Sequence, residues 1–248
     1  MNNFLSTISG FIAGSISSVI CYPLQIIQVQ QQVSNNKRTV IDSIKNIYQK
    51  QGLRGYYYGL NKGVLCYSIF YGSYFYTYDW LKESTELSPF VKSYLASTLG
   101  SIISNPWQVV RVRRQTCILN GQLNFKPSIR QIYQQEGIIS LTKGLKLTLF
   151  KNIELGLVMT ITEKLKTDYQ VSQVYASFTG KIIAASLTYP LDCARNIRRY
   201  EPITYRKILR RFYNNPKKMY YGMPAYLIKS VPACVISFTI NDMIKQIK

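Results

Sequence analysis

Histidine is absent from the chain, and acidic residues number only 11 against 31 Lys and Arg among 248 residues. Without histidine neither a Ser-His nor a Cys-His nucleophile pair can form. What remains is scattered acids with no catalytic constellation, so the chain reads as a non-enzyme without cofactor or metal. The cysteines Cys21, Cys66, Cys117, Cys193 and Cys234 form no CxxC pair and no metal-ligand spacing, and read as free buried thiols. Charge itself is missing from four long stretches, residues 1–36, 64–78, 93–110 and 230–241. A helix needs about 20 mostly apolar residues to cross a bilayer core of about 30 Å. The first stretch suffices outright and the others come close, which predicts a membrane protein. A mean hydropathy of only −0.05 fits helices that show one face to lipid and another to a water-filled cavity. The first stretch also lacks the basic region with which a secretory signal begins.

The three prolines Pro23, Pro106 and Pro190 stand 83 and 84 residues apart, each closing an apolar run and opening a polar one. A second landmark follows each: Gly52 with Gly59, Gly137 with Gly144, and a worn form, Asn215 with Gly222, its members 7 residues apart every time. A further apolar run then ends in an acid with a lysine three residues on, Asp79/Lys82, Glu163/Lys166 and Asp242/Lys245. Such register marks an internal repeat, and the repeat decides the architecture. It predicts an all-α membrane protein of three tandem repeats, about 1–86, 87–169 and 170–248, in one domain. The six expected spans are 4–30, 63–81, 91–112, 145–163, 171–195 and 224–244. The connectors carry short helical patterns, with Ile41, Ile44, Ile47 and Tyr48 on one expected face and Ile129, Ile132 and Tyr133 on another. They read as helices lying at the membrane interface.

Residues 37–62, 111–146 and 195–218 together hold +19 of the net charge of +20. If each repeat is a hairpin, all three connectors share one side, where basic residues concentrate on the non-translocated face and attract anionic lipid. Because the basic segments alternate with uncharged spans, the charge speaks for lipid rather than nucleic acid. The bias toward Ile, Asn, Lys and Tyr points to an AT-rich genome, that of a protist or of a large virus infecting one.

The proline segments, Pro23 to Gln32, Pro106 to Gln115 and Pro190 to Arg199, resemble the thrice-repeated Pro-x-Asp/Glu-x-x-Lys/Arg-x-Lys/Arg-x-Gln signature of the mitochondrial carrier family. The glycine landmarks and acid–lysine pairs resemble that family's other repeated elements, and Gly10 with Gly14 resembles its GxxxG, a spacing that lets helices approach closely. The resemblance implies a monomeric six-helix bundle with threefold pseudosymmetry that works by alternating access around a central site. It implies helix kinks at Pro23, Pro106 and Pro190, and a cytoplasmic gate of Asp79, Lys82, Glu163, Lys166, Asp242 and Lys245. A matrix gate would comprise Gln25, Gln28, Gln108, Arg111, Asp192 and Arg195. Here glutamines replace usual charges, and the implied pairs Gln25–Arg111, Gln108–Arg195 and Asp192–Gln28 never join opposite charges. A weaker matrix gate is expected. The third repeat departs further, with Ile197 and Arg199 at usual basic and glutamine positions.

Counting from the landmarks as the family implies places the substrate contacts at Cys66, Lys151 with Asn152, and Lys229, with Lys181 lining the cavity. A lysine at mid-membrane depth costs about 2.5–3.5 kcal/mol unless it faces water or a partner, which favours an anionic substrate. The simpler alternative for Lys151 is a pair with Glu154 one turn away. Tyr67, Tyr71 and Tyr74 either stack on a base or pack between helices. The expected function is exchange of an anionic metabolite, a nucleotide or deoxynucleotide, across the mitochondrial inner membrane, with cardiolipin at the matrix side. A di/tricarboxylate or keto-acid carrier is the alternative, since Lys151-Asn152 resembles the basic-polar pair of carboxylate carriers. A non-transporting membrane protein that binds lipid or a partner is the alternative of another class.

Overall fold

The computed structural model describes residues 2–34, 39–117, 127–201 and 203–230, and helix is the only regular structure among them. In chain order the helices are α1 (Asn2–Val33), α2 (Val40–Gln51), α3 (Leu60–Ser84), α4 (Pro89–Cys117), α5 (Ile129–Glu136), α6 (Leu145–Lys151), α7 (Ile153–Tyr169), α8 (Gln173–Tyr200) and α9 (Tyr205–Asn214). A tenth, α10, covers 223–230 at the start of the expected sixth span. Asp242, Lys245 and Cys234 lie outside the described residues.

The helices overrun the expected spans, because the polar residues after each proline continue the helix instead of leaving it. Gln28 to Gln32 on α1 and Gln108, Arg111 and Gln115 on α4 are buried. The outer surface is the reverse: Phe11, Ile12, Ile16 and Ile20 on α1, and Leu99, Ile102 and Ile103 on α4, are exposed. Apolar outside and polar inside is the pattern of a bundle whose outer solvent is lipid. Among the described residues one stretch, Phe11–Val33, is long and apolar enough to cross a membrane by composition alone. The other long helices dilute that signal with their inward polar faces. Pro23, Pro106 and Pro190 all stand inside continuous helices, where each forfeits one backbone hydrogen bond.

Neighbours pack in the order α1, α3, α4, α7, α8. Ala225 of α10 joins the cluster of Tyr22, Ile26 and Ile27, while Tyr226 packs on Ala185 and Tyr189, so α10 bridges α8 to α1 and the ring closes. Close approach is visible at Gly14, where a Cβ would lie 2.7 Å from the Tyr67 carbonyl oxygen. The landmark glycines are turn residues: Gly59, Gly144 and Gly222 have φ of 81°, 80° and 82° and so adopt a conformation only glycine takes cheaply. Asn215, at the worn landmark, has φ −147° and needs no glycine.

Helices α2 and α5 begin at capping boxes on Thr39 and Ser128. Their expected apolar faces are unevenly buried. Ile47 and Ile132 are buried against the bundle, whereas Ile41, Ile44, Tyr48 and Tyr133 are exposed. One edge of each face packs inward on the bundle, and the rest faces outward.

Candidate functional site

A cavity lies inside the ring, and all the expected substrate contacts, Cys66, Lys151, Asn152, Lys181 and Lys229, line it. So do Gln25, Gln28, Gln108, Arg111, Asp192 and Arg195. Among the described lining residues, Arg111, Lys151, Lys181, Arg195 and Lys229 supply five cations, and Glu154 and Asp192 supply two carboxylates. The positive excess gives the cavity a field that attracts anions.

Glu154 is the hub of one half. Its side chain is 2% exposed and pairs with Lys181, and Lys151 Nζ lies 3.3 Å away. Thr188 Oγ1 donates to it at 2.7 Å and Tyr226 OH at 2.8 Å. Lys151 therefore does pair with Glu154, and it does more: it donates to Tyr226 OH at 3.3 Å and lies 3.6 Å from Asp192. The ring of Tyr226 is a shared platform, 5.1 Å from Lys229, 5.4 Å from Lys151 and 5.8 Å from Lys181. Asn152, where the helix breaks between α6 and α7, is otherwise engaged. Its amide donates to the Ser97 carbonyl at 3.1 Å and Ser101 Oγ at 3.0 Å, tying this break to α4. Tyr74, 1% exposed and bonded to Ser93 Oγ, serves packing, while Tyr67 lies under the Arg111 guanidinium at 5.0 Å.

Asp192 is the hub of the proline end. It accepts from Gln28 Nε2 at 2.8 Å and Gln32 Nε2 at 3.0 Å, and pairs with Arg195 one turn along its own helix. Gln32 also accepts from Asn196 at 2.6 Å and donates to Tyr189 OH at 3.0 Å. The implied Asp192–Gln28 contact is thus present. The implied Gln108–Arg195 pairing needs correction. Gln108 donates to Ser104 on its own helix at 2.9 Å, and Arg195 takes the carboxylate rather than that amide. A charge-assisted bond outcompetes a neutral one for a guanidinium. Nor is the ring free of opposite charges between repeats, since Lys151 of the second reaches Asp192 of the third.

At the other end Lys82 and Lys166 are exposed, and both act on Glu163 through space. The proline end is held by buried contacts, while the third acid–lysine pair lies outside the described residues. The residues that sequence reasoning underweighted are Glu154, Thr188, Tyr226, Gln32 and Asn196. Glu154 alone carried a signal, as an acid inside an apolar run; the rest are common polar types in helices full of them.

Outside the spans, the landmark acid Glu136 clamps its connector. Arg113 donates to both of its oxygens at 2.6 and 2.8 Å and Lys143 at 2.5 Å. These bonds, Arg113 first, hold its carboxyl down to about 2. Because the folded value lies below the ordinary one of about 4.3, the clamp stabilises fully at neutral pH and fades as pH falls from there toward 2. The thermal midpoint of Glu136→Gln should therefore trail wild type at pH 7, by less as pH falls below about 4, and converge on it only at about pH 2 or lower. A gap that persists unchanged at low pH would show that the ion pair is not its source.

The description "Mitochondrial carrier protein" matches residues 1–89 and 84–172. The chain belongs to the mitochondrial carrier family. It is 27% identical to mitochondrial substrate carrier family protein W of Dictyostelium discoideum over 94% of its length and 84% of that protein's. It is 27% identical to nicotinamide adenine dinucleotide transporter 1, chloroplastic, of Arabidopsis thaliana, covering 99% of this chain and 92% of the other. A probable mitochondrial 2-oxodicarboxylate carrier of Dictyostelium discoideum is 27% identical over 55% of this chain and 50% of its own length. This carrier is accordingly an organellar membrane transporter and not an enzyme. Its inside-out polarity is that of the family's membrane bundle.

Proposed function

We propose that this carrier exchanges a nucleotide or deoxynucleotide across the mitochondrial inner membrane by alternating access. The observation that carries the reading is the cavity's balance of five cations to two carboxylates, all on facing helices. Lys151, Lys181 and Lys229 surround the Tyr226 ring, a surface on which phosphate and an aromatic base can both find partners. The similarity to a transporter named for nicotinamide adenine dinucleotide supports a nucleotide-bearing cargo. The acid–lysine end is the cytoplasmic gate and the proline end the matrix gate, with the basic connectors facing cardiolipin. A monomer suffices, because the whole cavity is built from one chain.

A di- or tricarboxylate is the second reading, favoured by the adjacent Lys151 and Asn152 and by the similarity to a probable 2-oxodicarboxylate carrier. Asn152 argues against it, since its amide is spent on α4. Uptake of labelled nucleotides and carboxylates into liposomes containing the pure protein separates the two. Nucleotide uptake is expected, reduced about 100-fold or more by Lys229→Ala, which removes roughly 3 kcal/mol of charge-assisted contact. Carboxylate uptake alone selects the second reading, and no uptake of any anion removes both.

A further inference from the structure

Three buried cations at the floor of the cavity have no acid to answer them. Glu154 serves Lys151 and Lys181, and Asp192 serves Arg195 and Lys151. Among the described residues Lys229, Arg111 and Arg199 have no carboxylate within 4 Å. Lys229 donates to the amide oxygen of Gln28 at 2.7 Å. Arg111, 5% exposed, covers the Tyr67 ring, and its Nε has no hydrogen-bond partner. Arg199 is 0% exposed; one terminal nitrogen donates to Asn105 Oδ1 and Thr148 Oγ1, both at 3.0 Å, while Nε and Nη1 are unfilled. Arg111 and Lys229 line the same cavity as Thr148, the hydroxyl to which Arg199 donates. Thr148 lines the cavity, which puts Arg199 one side chain behind its wall. Buried guanidinium N–H groups left unfilled are rare and call for an explanation.

The sequence explains why they are stranded. Gln25 and Gln108 stand where the third repeat has Asp192, two residues after the proline, so Arg111 has lost its acidic neighbours. Arg199 stands nine residues after its proline, where the other repeats have Gln32 and Gln115. Compared position by position with the other repeats, the corner has fewer anions and one more cation.

We propose that Arg111 and Lys229, with Arg199 behind them, receive a second anionic group of the substrate, and that the cargo is therefore a diphosphate. This deepens the proposed function and rests on it. Six cations against two carboxylates leave four positive charges unanswered, which linked phosphoryl groups answer more fully than the two or three negative charges of a di- or tricarboxylate. The tetrahedral oxygens of the inner phosphoryl group fill guanidinium donors that lie on different sides of the corner. Because Arg111 belongs to the proline end, an occupied corner also bears directly on the gate, coupling cargo to opening.

Binding of inorganic pyrophosphate and inorganic phosphate to the full-length carrier in detergent, followed by thermal stabilisation, tests this. Pyrophosphate should bind wild type at least about tenfold more tightly than phosphate, a difference the corner supplies. Arg111→Gln and Arg199→Gln copy residues this chain already uses at the equivalent positions, Gln28 and Gln32, so both should fold. Each should cut the pyrophosphate preference by about fivefold or more while phosphate, held by Lys151 and Lys181 beside the Tyr226 ring, changes far less. Equal binding of the two probes by wild type, or full preference in both variants, overturns the proposal. If neither probe binds but liposomes take up a labelled carboxylate, the diphosphate site fails and carrier function stands. If no anion is taken up either, both readings fall.

Discussion

Glu154→Ala is expected to destabilise the solubilised carrier by about 3–5 kcal/mol, the usual result of stripping one member from a buried charge cluster. The carboxylate is 2% exposed and holds two lysines, a threonine and a tyrosine at once. Its removal takes away the carboxylate that Lys151 and Lys181 share, leaving Lys151 with Asp192 at 3.6 Å. It also frees Tyr226, whose ring is the platform for three lysines. The double variant Glu154→Ala, Lys181→Met should recover about 1–2 kcal/mol, since one stranded charge goes with its partner. Thermal denaturation in detergent, compared across the cycle, measures both terms. A loss under about 1 kcal/mol for the single variant would mean that cavity water replaces the carboxylate and the hub is not structural.

Gln25→Asp together with Gln108→Asp should slow exchange by about tenfold or more, because each new pair that stabilises the closed proline end by about 1.4 kcal/mol raises the opening barrier by a factor of ten. At present that end is held mainly through one carboxylate, Asp192, and the amides of Gln28 and Gln32. Both substituted glutamines line the same cavity as Arg111 and Arg195. A carboxylate at either place turns a neutral neighbour into an ion pair that must break before the helices part. It also fills the corner assigned to the substrate's second anionic group, so affinity should fall together with rate. Initial uptake rates at saturating substrate separate the two effects. Unchanged or faster exchange at saturation would refute a gate at the proline end.

The architecture was legible because the repeat imposes register. Prolines 83 and 84 residues apart, and glycines whose left-handed φ the turns require, signal the same hairpin three times over. The cavity lysines were legible for a related reason, as charges inside apolar runs must face a partner or water. Partners across the cavity were not legible. Glu154 and Lys181 are 27 residues apart on different helices, and no periodicity links them. The stranding of Arg199 was hidden too, since its sequence signal is only an arginine among arginines. The apolar faces on α2 and α5 are buried along one edge only, because a connector helix has two apolar neighbours, the bundle and its outer surroundings, and Ile47 and Ile41 serve different ones.

All of these effects depend on three hairpins that place their basic connectors on one face of the membrane around a shared cavity. Single cysteines at Lys50, Lys143 and Arg210, one per connector, can be labelled with a membrane-impermeant maleimide in oriented vesicles. The native thiols Cys21, Cys66, Cys117 and Cys193 are buried, so background is low once Cys234 is replaced by serine. The hairpin arrangement predicts that all three sites react from the same side and none from the other. Reaction of any one connector from the opposite side would contradict it.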